Sequence, residues 1–352
     1  MNRAALEAKV RSGEALTDLD LAGADLASVD LSGAVLEGVS LRGATLANAR
    51  LTEANLVDCD LAGADLRGAD LGFATLSRCD LAGAKLADAK LVGARLEDGS
   101  LARSTLAKAR LDHATLSRVD LADASLDGAS LRGAKLLAVR AGALVLTGAD
   151  LGGAMCVDVD LTAASLAGAR LAGVVFHGCA LTGLDLSGVD LRGSQFAGCD
   201  LGSVQLERAT LDRCNFRGAN LAMANLKRAS GDGVMFAEAQ LRKATLRAAR
   251  LPRAVFLDAD LRAANVTQAD LREAVLRGAR ATGAKFMEAD LTEADLHYAD
   301  VSSADFTGAT LLRASFHGAT TTGAVGRGAG YDGDDAALAA IERRIRGGAR
   351  DA

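Results

Sequence analysis

A leucine recurs at every fifth position in this chain, and no single helix or strand can make use of that spacing. In the stretch DLAGADLRGADLGFATLSRCDLAGAKL, residues 60–86, leucine stands at 61, 66, 71, 76, 81 and 86. On an α-helix, residues five apart are rotated by roughly 140°, so these side chains would be scattered around the cylinder. On a strand they would alternate between the two faces. The backbone must therefore turn at regular intervals and return each leucine to one interior.

Counted in fives from Leu16 to Phe316, the frame has 61 central positions and never slips; 47 are Leu, eight are Phe and two are Val. Ala141, Cys156, Gly231 and Ala281 are the exceptions. From position 19 to 314 a small residue, usually Ala, stands two places before the centre, with only Leu19, Leu144 and Leu184 larger than valine, and glycine recurs two places after it, as at Gly23, Gly33, Gly63 and Gly68. A tight turn with positive φ favours glycine at such a place. The units ADLRG, ANLVD, ADLAS and CDLAG resemble the A(D/N)Lxx motif of the pentapeptide-repeat family over residues 16–320. That resemblance implies an all-β solenoid, a right-handed quadrilateral parallel β-helix in which four pentapeptides make the four sides of one coil.

Four sides per coil also follow from the residues themselves. Phe176, Phe196, Phe216, Phe236 and Phe256 form a series with a period of twenty, and Cys59 with Cys79 and Cys179 with Cys199 repeat at the same interval. Aromatic rings gain by stacking on rings in the next layer, which accounts for the phenylalanine series as a core ladder. About 15 coils at the strand spacing of roughly 4.8 Å predict a rod about 70 Å long. Its open ends require caps. Residues 3–11 read as a short helix with Leu6 and Val10 on one face, and residues 334–346 as a second helix capped by Asp334, with Leu338, Ile341 and Ile345 along one side. The expected layout is an N-terminal capping helix over 1–13, repeats over 14–320, a Gly-rich linker over 321–333, and a C-terminal helix and tail over 334–352.

Residue number modulo twenty assigns every outward position to a side. The first side (centres 16, 36, 56) gathers large apolar residues next to its centres: Val35, Val57, Leu137, Met155, Val157, Val175, Met235, Val255, Leu257 and Val275. The two clusters, Leu137 to Val175 and Met235 to Val275, form the expected partner-binding surface, since contiguous exposed apolar area on a soluble protein marks an interface. The second side (centres 21, 41, 61) carries an acidic column, Asp20, Asp60, Asp80, Asp120, Asp160 and Asp200, joined later by Asp260 and Asp300. Such a column reads either as solvated repeat residues or as a mimic of a DNA strand. Arginines from Arg242 to Arg280 make the later repeats basic.

The reading for catalysis is negative. Five of the six cysteines take the small inward position and Cys156 takes a centre; without CxxC spacing they read as buried small hydrophobes. His113, His177, His297 and His317 read as solvated, with His297 and His317 one layer apart on the first side. GAVGRGAG lacks the preceding strand of a dinucleotide loop. No cofactor or metal is expected. A net charge of −5 gives no bulk attraction to nucleic acid. The opening MNRAALEAKVRSGEAL has no apolar signal core and no window reaches the length of a membrane span, which predicts a cytoplasmic chain without membrane contact.

The expected function is a rigid, non-enzymatic scaffold or adaptor that grips a protein partner along the apolar side, or a second copy of itself there or through a terminal cap. AALEAKVRSGEALTDLDLAGADL is similar to pentapeptide-repeat proteins of bacterial type VI secretion loci, which implies a secretion-apparatus or effector partner. The competing expectation, from the quinolone-resistance branch of the same family, is a duplex mimic that binds DNA gyrase. Members of that branch tend to be shorter and more uniformly acidic.

Overall fold

A computed structural model describes residues 3–326, which fall into two compact units, unit 1 ending at Val175 and unit 2 beginning at Phe176. In the first unit eight short strands follow each other at twenty-residue intervals: β1 (Leu16–Thr17), β2 (Val35–Glu37), β3 (Asn55–Val57), β4 (Thr75–Ser77), β5 (Arg95–Glu97), β6 (Thr115–Ser117), β7 (Lys135–Leu137) and β8 (Met155–Val157). They pair in parallel in chain order, with Leu16 opposite Leu36, Leu56 opposite Leu76 and Leu136 opposite Cys156. Single parallel bridges such as Asp20–Ser40, Asp25–Thr45 and Asp30–Arg50 supply the other three sides. Each circuit is therefore a twenty-residue square, and the fold is a parallel β-solenoid.

The second unit keeps the twenty-residue return on all four sides, as in the bridges Gln195–Asn215, Asp200–Asn220, Gln205–Asn225 and Thr210–Ser230. A ninth strand, β9 (Val175–His177), lies in the chain where the units divide. Strand-bearing turns thus number about eight, fewer than the fifteen or so coils read from the sequence. From Phe196 onward the same positions form isolated bridges in place of three-residue strands.

Corners are made by tight turns. The Leu21 carbonyl accepts the Ala24 N–H at 3.1 Å, with Gly23 between them at φ 66°. Non-glycine residues adopt the same left-handed conformation at this place, for example Ser28 at 56° and Arg103 at 57°. That conformation costs roughly 1–2 kcal/mol per residue. It also aims the N–H of Ser28 at the Ala47 carbonyl one circuit on, 2.8 Å away, which satisfies both groups.

The interior holds the central residues and the small residues before them, most of them fully buried. Phe176, Phe196, Phe216, Phe236 and Phe256 stack in sequence with ring centroids 4.9–5.2 Å apart and planes within 11° of parallel. A second pair, Phe286 and Phe306, stacks at 4.9 Å, and Phe306 meets Phe316 edge to face at 5.8 Å.

Two departures from the leucine rule are compensated three residues later, whereas Ala281 is followed by Ala284. Ala141 is followed by a buried Leu144, and at Gly231 an added Cβ would lie 2.8 Å from Cγ2 of Val234. A large corner residue fills the space that a small centre leaves, as close packing requires.

Helix α1 (Arg3–Arg11) covers the first coil. Leu6 is its buried anchor. Arg3 donates to the carbonyls of Ala27 and Ser28 at 3.0 and 2.6 Å, and the Glu7 carboxylate accepts the Asp30 N–H at 3.2 Å, so the helix takes up backbone groups of the open edge. At the other end the square winding runs past residue 320. Ala324 donates to Thr321 at 3.1 Å and Phe306 to Val325 at 2.7 Å. Residues 321–326 therefore belong to the repeats and not to the linker read from the sequence, because Thr321 takes a central place and Ala324 the small inward one. The helix expected over 334–346 lies outside the described residues.

Candidate functional site

The apolar residues expected to bind a partner are divided between the two units. In unit 1, Leu137 and Val157 are register partners on β7 and β8. Both are half-buried, Met155 is 38 % exposed, and Val175 is half-buried beside the Ala154 carbonyl, to which its N–H donates at 2.9 Å. In unit 2, Met235, Val255 and Val275 form one continuous bridge ladder, with Leu257 immediately after the Phe256 centre. Met235 is 42 % and Leu257 37 % exposed.

Polar and aromatic groups continue this second column. The Arg277 guanidinium lies 5.6 Å from the ring centre of Tyr298, and Tyr298 is 57 % exposed. The rings of His297 and His317 are 5.6 Å apart, and that of His317 lies edge-on to Tyr298 at 6.0 Å. Nδ1 of His297 contacts the Asp295 carboxylate, and Nε2 lies 3.3 Å from the Ser315 hydroxyl. Both ring nitrogens are occupied by neighbours. Among the described residues, no group of three or more His, Cys, Asp or Glu side chains is placed to hold a metal ion.

Three strongly exposed apolar side chains escape a reading confined to the positions flanking each centre: Phe73 (65 %), Met223 (60 %) and Tyr298. All three stand two places after a centre, where glycine is the rule, and a bulky residue at that place was the available signal. The ring of Tyr298 lies over Gly318, where an added Cβ would come 2.6 Å from Cδ1.

The acidic column of the second side is built into the backbone. One oxygen of each carboxylate accepts the N–H two residues ahead: Asp20 from Ala22 at 3.0 Å, Asp60 from Ala62 at 2.9 Å, Asp80 from Ala82 at 2.8 Å, Asp120 from Ala122 at 2.9 Å, Asp160 from Thr162 at 2.9 Å and Asp200 from Gly202 at 3.1 Å. These are Asx turns, so the aspartates hold the corners in shape. Several also carry a cation. Arg42 bonds Asp60 at 2.8 Å, Arg140 bonds Asp120, and Asp260 meets both Arg262 and Arg280. For Asp120, burial acts to raise the pKa, but the Arg140 guanidinium and the Ala122 amide outweigh it and hold the carboxyl below its usual range. Hydrogen bonds from Thr162 do the same for Asp160. Asp80, Arg103, Asp120, Asp123 and Arg140 line an open groove of about 470 Å³ on this side.

All six cysteines are buried. Burial pushes the thiol of Cys199 up to about 11 and that of Cys214 up to about 12. Thiols held so far from ionisation are packing groups, since the thiolate is the nucleophile.

The repeat unit, the square circuit and the buried Leu/Phe ladders together match one sequence family. Its model, Pentapeptide repeats (8 copies), matches overlapping segments that cover residues 20–98, 100–136 and 145–325. The chain belongs to the pentapeptide-repeat family. The break at 137–144 falls on Ala141, where the repeat exchanges its large centre for a large corner.

Solved pentapeptide-repeat proteins are similar to it. HetL, involved in heterocyst differentiation regulation in the cyanobacterium Nostoc, is 25 % identical, with 72 % of this chain and 86 % of that one covered and a TM-score of 0.19. Rfr23 from the cyanobacterium Cyanothece is 24 % identical, with 34 % and 91 % covered and a TM-score of 0.20. QnrB1, a plasmid-mediated fluoroquinolone resistance protein, is 19 % identical in a trypsin-treated variant, with 57 % and 95 % covered and a TM-score of 0.35. No curated protein matches the chain. Among the described residues, no helix is long and apolar enough to cross a membrane.

Proposed function

We propose that this pentapeptide-repeat protein is a rigid, non-catalytic scaffold that binds a protein partner through the first side of unit 2. The observation that carries the reading is the coincidence of the Met235–Val255–Val275 ladder with Leu257, Arg277 and Tyr298. Met, Tyr and Arg are the residue types enriched at the centres of protein interfaces. The unit 1 cluster of Leu137, Met155, Val157 and Val175 is a second, smaller surface of the same kind. Support for a rigid role comes from the backbone, in which successive circuits within each unit are bonded to one another along their sides. A type VI secretion component, as the N-terminal resemblance implies, is the partner class we favour over DNA gyrase, since the acidic column spends its carboxylates on its own backbone and arginines.

The test is affinity capture from the native host with the full chain, with Val255→Asp/Leu257→Asp, and with Lys85→Glu as a surface control. A specific protein retained by wild type and control but lost with the double substitution supports the reading. Identical recovery with all three overturns the apolar side as the site. Recovery of gyrase, with inhibition in a supercoiling assay, would establish the duplex-mimic role instead.

A further inference from the structure

The arginines of the two units differ in how they are neutralised. Beyond α1, every arginine of unit 1 except Arg103 has a described carboxylate within 4 Å. In unit 2, residues 201–250 hold nine Lys and Arg against four Asp and Glu. There, among the described residues, only Arg217 and Lys227 find a carboxylate, in Glu238 and Glu207.

Five of the unpaired cations converge. Arg242 and Lys243 follow the Leu241 centre on the second side, while Arg208, Arg228 and Arg247 follow the centres 206, 226 and 246 on the third. Backbone bonds fix the neighbourhood: Arg208 N–H to Lys227 at 3.0 Å, Arg228 N–H to Arg247 at 3.0 Å, and Met223 N–H to Arg242 at 2.9 Å. All five are exposed. Between the Arg242–Lys243 pair and the group Arg208, Arg228 and Arg247 runs a strip of amides and hydroxyls, Gln205, Asn225, Thr245 and Asn265, in one bridge ladder.

We propose that this corner of unit 2 binds the phosphodiester backbone of a nucleic-acid duplex, without sequence preference. The five cations occupy three successive circuits, about 10 Å along the stacking direction at the usual strand spacing. A duplex carries roughly six charges over that length, at one per about 1.7 Å. An extended acidic polypeptide supplies at most about three, at one residue per roughly 3.3 Å, so the charge density favours the duplex. Asn, Gln and Thr are suited to phosphate and sugar oxygens and carry no base code there. The chain-wide charge of −5 conceals the strip because the compensating acids lie elsewhere.

The experiment is fluorescence anisotropy of a labelled 15-base-pair DNA duplex with the full chain at 50 and 200 mM NaCl. Five phosphate contacts predict a salt slope of about −4.5, hence roughly 500-fold weaker binding at the higher salt. Arg228→Glu/Arg242→Glu/Arg247→Glu should abolish binding, while Lys85→Glu/Lys108→Glu/Lys135→Glu, the same charge change placed in unit 1, should leave it near wild type. Unchanged circular dichroism of both triples separates loss of binding from loss of fold, and Arg242→Gln, which reverses no charge, should weaken binding several-fold. No binding at 50 mM, equal loss in both triples, or a poly-glutamate peptide that binds as tightly as the duplex would each overturn the assignment.

Discussion

The first side of unit 1 and the first side of unit 2 start from the same pentapeptide and solve the same packing problem in opposite ways. In unit 1 the centres are mostly leucine and the corner residues three places later are Val39, Cys59, Cys79, Val119, Val139 and Val159, with Gly99 as the exception. These sides run as three-residue strands. In unit 2 the centres Phe196, Phe216, Phe236 and Phe256 are followed by Cys199, Ala219, Ala239 and Ala259, whose N–H groups close tight turns onto the phenylalanine carbonyls at 3.0–3.1 Å. Over these circuits phenylalanine centres stand with Cys or Ala corners and leucine centres mostly with Val or Cys corners, whereas farther along unit 2 Leu276 and Leu296 stand with Ala279 and Ala299. Where centre and corner exchange size, the two side chains fill the interior together, as interdigitated cores do.

Substitutions can break or sharpen this comparison. The largest expected effect is Phe216→Ala in the middle of the ring stack, about 4 kcal/mol, against about 3 kcal/mol for Leu116→Ala at the matching place in unit 1. Urea denaturation measures both, and hydrogen exchange should localise each loss to its own unit. Equal losses would remove the special weight of the ring stack.

Next is a double-mutant cycle that converts one circuit of unit 2 to the unit 1 solution. Phe216→Leu should cost about 1.5 kcal/mol by underpacking and Ala219→Val about 2 kcal/mol by overpacking. The pair together should cost less than about 1.5 kcal/mol. Simple additivity of the two losses would show that the exchange of volumes has no physical content.

Acid should affect the two units alike, unlike the core substitutions. Asp160 in unit 1 and Asp300 in unit 2 are held below the usual carboxylate range, chiefly by side-chain hydrogen bonds from Thr162 and Ser302. A carboxyl depressed in the folded state contributes stability above its unfolded pKa, about 3.9, and loses it as pH falls through the folded value. The melting temperature should be level from pH 8 to 5 and drop below about pH 4, which a calorimetric pH series checks.

The smallest effect concerns the thiols. With Cys199 and Cys214 raised to about 11 and about 12 by burial, alkylation by iodoacetamide at pH 8 should be slow in the native protein and fast in urea. Rapid native labelling of either would show that the small corner places of unit 2 open readily.

The square circuit was legible because its signal is repeated dozens of times in one phase, and because Phe196 and Phe216 announce which residues lie one layer apart. Their rings are 5.0 Å apart. The compensation at Ala141 and Gly231 was not legible, since a centre-only count treats Leu144 and Val234 as unrelated. Charge counting likewise could not show that the aspartates of the second side bond backbone amides, because an Asx turn and a solvated carboxylate look the same in sequence. The exposed Phe73, Met223 and Tyr298 were missed for a conformational reason. A non-glycine residue in the left-handed region directs its side chain outward at the corner, and the Phe73 φ of 57° belongs to that region.

Because the return interval in unit 1 is a fixed twenty residues with every inward column in phase, its length comes in discrete quanta. Excising residues 81–100 would bring Leu101 to the place of Leu81 and leave all four corners matched, while removing a number not divisible by five would turn buried leucines toward water. Evolution can therefore adjust such a chain as a ruler graduated in rungs of about 4.8 Å, setting the distance between two attached bodies without redesigning what lies inside.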